Sequence, residues 1–68
     1  MRLQDMRDGQ MIEINNQIVM YSNDQYIIIS GSNSGLFIDT GDEQELFDTL
    51  DYCPNIDFDE VELELKTD

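Results

Sequence analysis

Through the first half of the chain, apolar and polar positions alternate; beyond it the period lengthens. In "MIEIN" (11–15), Ile12 and Ile14 fall on one face and Glu13 and Asn15 on the other, the period-2 pattern of a half-buried strand. Asn15-Asn16-Gln17 tolerates positive φ and predicts a tight turn, so "IVMYS" (18–22) follows as the second strand of a hairpin. Asn23-Asp24-Gln25 is the next turn signal. "YIIIS" (26–30) is apolar on both faces and rich in β-branched residues, which predicts a central strand. "GSNSG" (31–35) reads as a flexible loop and "LFIDT" (36–40) as the fourth strand. Short turns between successive strands predict an antiparallel meander.

In "DEQELFDTLDYC" (42–53), Leu46, Phe47, Leu50 and Cys53 recur at helical spacing and predict one stripe of an amphipathic helix. Thr40 and Glu43 fit a capping box, and Asp42, Glu43 and Glu45 suit the positive end of the helix dipole. Pro54 ends the helix near Cys53, after which Ile56 and Phe58 return the chain to the core. "EVELELK" (60–66) alternates strictly, with Val61, Leu63 and Leu65 facing in and Glu60, Glu62, Glu64 and Lys66 facing out. The step from Phe58 to Val61 breaks that alternation and predicts a turn or bulge at Asp59-Glu60. The element order is β-β-β-β-α-β: an α+β fold with about five antiparallel strands and one amphipathic helix on one sheet face.

Length makes this one domain, residues 1–68, with a core of one sheet and one helix and little room for an internal active site. Residues 1–10 are expected to be loosely ordered and 66–68 frayed. Cys53, the single cysteine, has no intrachain partner; it suits a reducing interior or leaves a homodimer open. The N-terminal "MRLQDMRDGQ" carries no apolar signal core, and no apolar run approaches the length that spans a membrane, so a soluble cytoplasmic protein is expected.

Charge changes the picture most. Sixteen Asp and Glu face three Lys and Arg, a net charge of −13. A magnitude of ~2–8 serves ordinary solubility in a small domain. The excess is also lopsided: after residue 38 the only base is Lys66. Such a chain repels nucleic acid and anionic membranes and attracts basic surfaces.

Few motifs carry chemistry. Phe37 to Asp42, around Asp39-Thr40-Gly41, resembles the active-site loop of retroviral-type aspartic proteases. That chemistry needs two such aspartates sharing a proton, a flap over the substrate and a later bracing segment. Here the sequence after Gly41 turns directly into the helix, and Asp39 reads as a strand end with Thr40 as a cap, so no catalytic residue is assigned. Asp57, Asp59 and Glu60, or Asp39, Asp42 and Glu43, offer clustered carboxylates, yet neither cluster has the offsets of a calcium loop. Histidine is absent, which disfavours zinc and any nucleophile–base pair. No metal or cofactor is expected.

The acids themselves remain. Asp42, Glu45, Asp48 and Asp51 recur at every third residue, stepping ~4.5 Å along a helix axis. Glu60, Glu62 and Glu64 recur at ~6.6 Å on one face of a strand. Such rows are comparable with the ~3.4 Å axial repeat of phosphates along one nucleic-acid strand. In size, charge and sheet-plus-helix plan the chain resembles the small acidic DNA-mimic inhibitors of phages and mobile elements: anti-restriction proteins, anti-CRISPR proteins and inhibitors of uracil-DNA glycosylase. The resemblance is one of class, without a diagnostic motif. It implies a noncatalytic inhibitor or regulator that occupies the basic groove of a host nucleic-acid-binding enzyme. The partner-binding residues are then Asp42, Glu45, Asp48, Asp51, Asp57, Asp59, Glu60, Glu62 and Glu64, with no direct nucleic-acid contact. The alternative is an interaction module or oligomer subunit that binds through an apolar sheet face, using Met20, Tyr21 and Tyr26, with acid only for solubility.

Overall fold

Two asparagine-led turns organise the sheet. Asn15 and Asn16 have φ of 50° and 65°, and Asn23 and Asp24 have φ of 52° and 60°. Positive φ at both central residues is the signature of the two-residue hairpin turn that matches strand twist, and Asn and Asp tolerate it best. The computed structural model describes residues 1–66, except for the side chain of Asp59. Its strands are β1 (Met11–Ile14), β2 (Gln17–Ser22), β3 (Gln25–Ile28), β4 (Phe37–Asp39) and β5 (Glu64–Leu65). They form one antiparallel sheet in the order β4-β3-β2-β1-β5. One α-helix among the described residues, α1 (Glu43–Thr49), completes an α+β fold with the anticipated element order.

Register sorts the side chains. Ile12 faces Val19, Val19 faces Ile28, and Tyr26 faces Ile38, so these share one face. Against that inner face pack Leu46, Phe47 and Leu50 of the helix region, Val61 and Leu63, and Leu3 and Met6, making one continuous core. Phe47 sits at its middle, with its ring centroid 4.9 Å from Phe58 and 5.6 Å from Tyr52. The other face carries the row Met11, Met20, Ile27 and Phe37 across four strands, and no described element covers it. Because strand side chains alternate, a one-residue slip would exchange the two faces; burial of the Ile12 set fixes the register.

The boundaries differ from the sequence expectation in several places. The helix spans Glu43–Thr49 rather than 42–53. Asp51 turns left-handed at φ 56°, its N–H bonds Asp48 C=O at 3.1 Å, and Tyr52 N–H bonds Phe47 C=O at 2.9 Å. That pair of bonds is a Schellman motif, usually built on glycine. It ends the helix before Pro54 and leaves Cys53 exposed rather than on the buried stripe. The capping box does not form as expected. Asp42 occupies the cap position without a side-chain bond, and the Glu43 carboxylate accepts from Gly41 N–H, while Thr40 N–H donates to Asp24 C=O. Ile56 is exposed rather than returned to the core.

The last strand is shorter as well. Phe58–Glu60 winds into a 3-10 turn where a turn or bulge was anticipated, and only Glu64–Leu65 pairs with β1. Val61 and Leu63 are buried, but Leu65 lies at the sheet edge and stays exposed. At the N-terminus, residues expected to be loose are packed. Leu3–Asp5 forms a 3-10 turn, Leu3 and Met6 are buried, and Leu63 N–H donates to Met1 C=O at 2.7 Å. Two apolar anchors in ten residues suffice to dock the segment, a spacing the flanking charges disguise. Of the C-terminal stretch 66–68, Lys66 N–H donates to Met11 C=O at 2.7 Å. Residues 67–68 lie outside the described part.

Candidate functional site

The acids on and around α1 are positioned by its buried stripe. With Leu46 and Phe47 turned to the core, the helical step of 100° points Glu45 and Asp48 away from it. Asp42, Glu45, Asp48 and Asp51 are all exposed. Asp42 and Asp51 flank the helix rather than lie on it, so the row has a two-residue helical centre with a cap residue and a left-handed residue at its ends. Three side-chain amides tie down the C-terminal end. Asn15 and Gln17 donate to Leu50 C=O at 2.9 and 3.1 Å, and Asn33 donates to Thr49 C=O at 2.9 Å. These supply the helix end with donors that the sequence otherwise lacks, since no basic residue stands in its last turn.

The expected strand row of Glu60, Glu62 and Glu64 is not a row. Glu60 ends the 3-10 turn, Glu62 lies in the connection, and Glu64 alone is in a strand. Two of the three also have cationic partners. The Glu62 carboxylate receives the Met1 ammonium at 2.9 Å and approaches Arg2 Nε at 3.6 Å. The hydrogen bond and charge of that ammonium hold Glu62 below the usual carboxylate range, with Arg2 adding less. Glu64 stands directly across from Glu13. Like charges so placed repel, and Lys66 Nζ bridges them at 3.1 Å to Glu13 and 3.2 Å to Glu64. Both carboxylates raise the Lys66 pKa, Glu13 first.

Asp57 and Glu60 are exposed. Asp59 lies in the same 3-10 turn by its backbone. Among the described residues, none of Asp42, Glu45, Asp48, Asp51, Asp57 and Glu60 has a cation within salt-bridge distance. Of these six, Asp42, Glu45, Asp48 and Asp51 lie on or beside α1 and Asp57 and Glu60 at the 3-10 turn, while the compensated Glu13 and Glu64 face each other where β5 joins β1.

Asp39, at the end of β4, accepts a hydrogen bond from the Gln25 amide at 2.9 Å and is exposed on the sheet's outer face. Among the described residues, no three Asp, Glu or Cys side chains come together as ligands for a metal ion. No described helix is long and apolar enough to cross a membrane.

The sheet contact anticipated from Met20, Tyr21 and Tyr26 divides between faces. Met20 lies on the open outer face, whereas Tyr26 is buried inward and Tyr21 packs beside it, their centroids 5.7 Å apart. The outer face is instead made by Met11, Ile18, Met20, Ile27, Ile29 and Phe37, with Phe37 61% exposed. The signal for it was present in "YIIIS", where apolar residues at odd positions have no helix to cover them. Inside, Tyr21, Tyr26, Phe58, Leu3, Met6 and Glu43 line a cleft of about 290 Å³ that sequence reasoning did not anticipate.

Comparison of the chain with protein-family models, with curated proteins and with solved structures gave no match.

Proposed function

We propose that the protein is a noncatalytic acidic inhibitor or regulator that sets its helix-bearing side against the basic groove of a nucleic-acid-binding enzyme. Its carboxylates would stand where phosphates lie. One observation carries the reading: Asp42, Glu45, Asp48, Asp51, Asp57 and Glu60 are exposed and uncompensated among the described residues of a chain with net charge −13. Holding unpaired like charges together opposes folding, and a cationic partner turns that opposition into attraction. Asp59 belongs to the same set by sequence, while Glu62 and Glu64 flank it with their charges already partly offset.

The test is capture from cell lysate on immobilised protein, with and without excess duplex DNA, using wild type and a variant combining Asp42→Asn, Glu45→Gln, Asp48→Asn and Asp51→Asn. Exposed ion pairs are each worth ~0.2–1 kcal/mol, so the four changes together should cost roughly 1–4 kcal/mol of affinity. DNA and moderate salt should each displace the partner. Capture that survives high salt and the fourfold variant would overturn the reading.

The uncovered sheet face favours a second reading, an interaction module that binds through Phe37, Ile27 and Met20. Monomers rarely leave large contiguous apolar patches without use. Binding would then resist salt and be lost in Phe37→Ser with Ile27→Ser.

A further inference from the structure

The cleft beside the start of α1 has a makeup unlike the rest of the surface. Two phenol rings from β2 and β3 meet edge-on at 64°, with Phe58 of the 3-10 turn and Met6 also in the wall. Glu43, half-buried, contributes a carboxylate, and no basic side chain lines the space. Aromatic faces carry negative potential, and a cation near such a face gains further when a carboxylate faces the same space.

Tyr26 sharpens the point. The residue is only 3% exposed, yet no described residue accepts its hydroxyl hydrogen, unlike Tyr21, whose hydroxyl donates to Asp24 Oδ1 at 3.0 Å. Tyr26 nonetheless lines the cleft. Burial pushes its pKa up to about 12, with Glu43 and then Tyr21 adding to the shift. The Tyr21 pKa is raised as well, first by its bond to Asp24, then by burial and the charges of Asp24 and Asp8. Both phenols therefore stay neutral under ordinary conditions, in a field set by carboxylates.

We propose that this cleft binds an organic cation of side-chain size, an alkylammonium or guanidinium group, seated among Tyr21, Tyr26 and Phe58 with its charge toward Glu43. The volume of about 290 Å³ lies at the small end of ligand sites, which usually span ~300–1,000 Å³. A hard metal ion would want six or more oxygen ligands, and Glu43 is the one carboxylate among the described lining residues. An anion would meet Glu43. The inference stands apart from the inhibitor reading, because a free amine and a basic residue of a partner protein present the same chemistry.

The test is titration of isotope-labelled protein, followed by amide NMR shifts at about 0.15 M salt, where diffuse attraction to exposed carboxylates is screened. The probes are N-acetyl-argininamide, choline, and 3,3-dimethylbutanol as the neutral isostere of choline. A cation should give saturable shifts at Tyr21, Tyr26, Gly41, Glu43 and Phe58, and the neutral isostere should bind about tenfold more weakly. Glu43→Gln should weaken the cation by a similar factor, and Tyr21→Leu should do so without emptying the core as Tyr26→Leu would; Glu13→Gln, on the outer face of the sheet, should leave binding unchanged. Saturation by argininamide alone assigns the cleft to a protein side chain, and saturation by choline alone to a free quaternary amine. Equal binding of the neutral isostere, indifference to Glu43→Gln, shifts spread along the outer side of α1, or no saturable shift would each overturn the proposal.

Discussion

Replacing Asp51 with glycine should make the protein more stable, and the helix end sets the size of the gain. Asp51 holds φ 56° as the left-handed residue of the Schellman motif. An L-residue there pays about 1–2 kcal/mol, which glycine does not. Glycine gives back ~0.4–1 kcal/mol through the greater freedom of its unfolded chain. Removing a carboxylate from the negative end of the helix dipole adds ~0.3–1 kcal/mol at low salt. The net is a gain of about 1 kcal/mol, which for a domain of this size corresponds to a rise in Tm of roughly 4–8 °C. The side chain makes no hydrogen bond among the described residues, and the bond from Asn15 to Asp51 uses the backbone carbonyl, which the substitution keeps. Thermal and urea unfolding followed by circular dichroism would read the change. Asp51→Ala is the control, since it removes the charge but keeps the strained backbone, and it should recover only the electrostatic part. A glycine variant no more stable than the alanine variant would refute the argument. If the inhibitor reading is right, the same glycine variant should bind its partner more weakly while melting later, a trade of stability for charge at one position.

Other consequences can be measured directly. Leu50→Ala removes a fully buried side chain where the helix meets Asn15 and Gln17, and such losses cost ~2–5 kcal/mol. A chain of this length has only about 3–10 kcal/mol in total, so the urea midpoint should fall sharply; a shift worth under about 1 kcal/mol would contradict the packing. Glu62 is held below its ordinary 4.5 by the Met1 ammonium, so the stabilisation is complete above that value and drains away as pH falls through the depressed one. Urea midpoints measured from neutral to acidic pH should show this decline in wild type and a flatter acid limb in Glu62→Gln; identical limbs would dissociate Glu62 from the ammonium.

Much of the fold could be read from the chain because its signals are local. The alternation of Ile12 and Ile14, the asparagine turns, and the spacing of Leu46, Phe47 and Leu50 each depend on near neighbours. What escaped depends on contacts between distant parts. An aspartate inside an acidic helical pattern gives no warning that it will turn left-handed, so the helix looked longer than it is and Cys53 looked buried. Tyr21 and Tyr26 sit opposite each other in register, yet which side of the sheet they occupy is decided by where the helix lands. The acidity of the candidate surface was plain in the composition, but its division into free and compensated carboxylates was not. That division depends on Met1 and Arg2 reaching Glu62 from the far end of the chain and on Lys66 reaching across the sheet to Glu13.

The placement of β5 beside β1 bears on how the molecule assembles. Every other strand pairs with its neighbour in sequence, so the meander from Met11 to Asp39 can zip up through short loops at little entropic cost. Joining β5 to β1 instead closes most of the polypeptide into a single ring, and pairings of that kind are slow to find. The two-residue strand should therefore form last, latching after the nucleus of hairpins and helix has condensed. Substitutions at its junction should then speed unfolding while leaving the rate of folding nearly untouched.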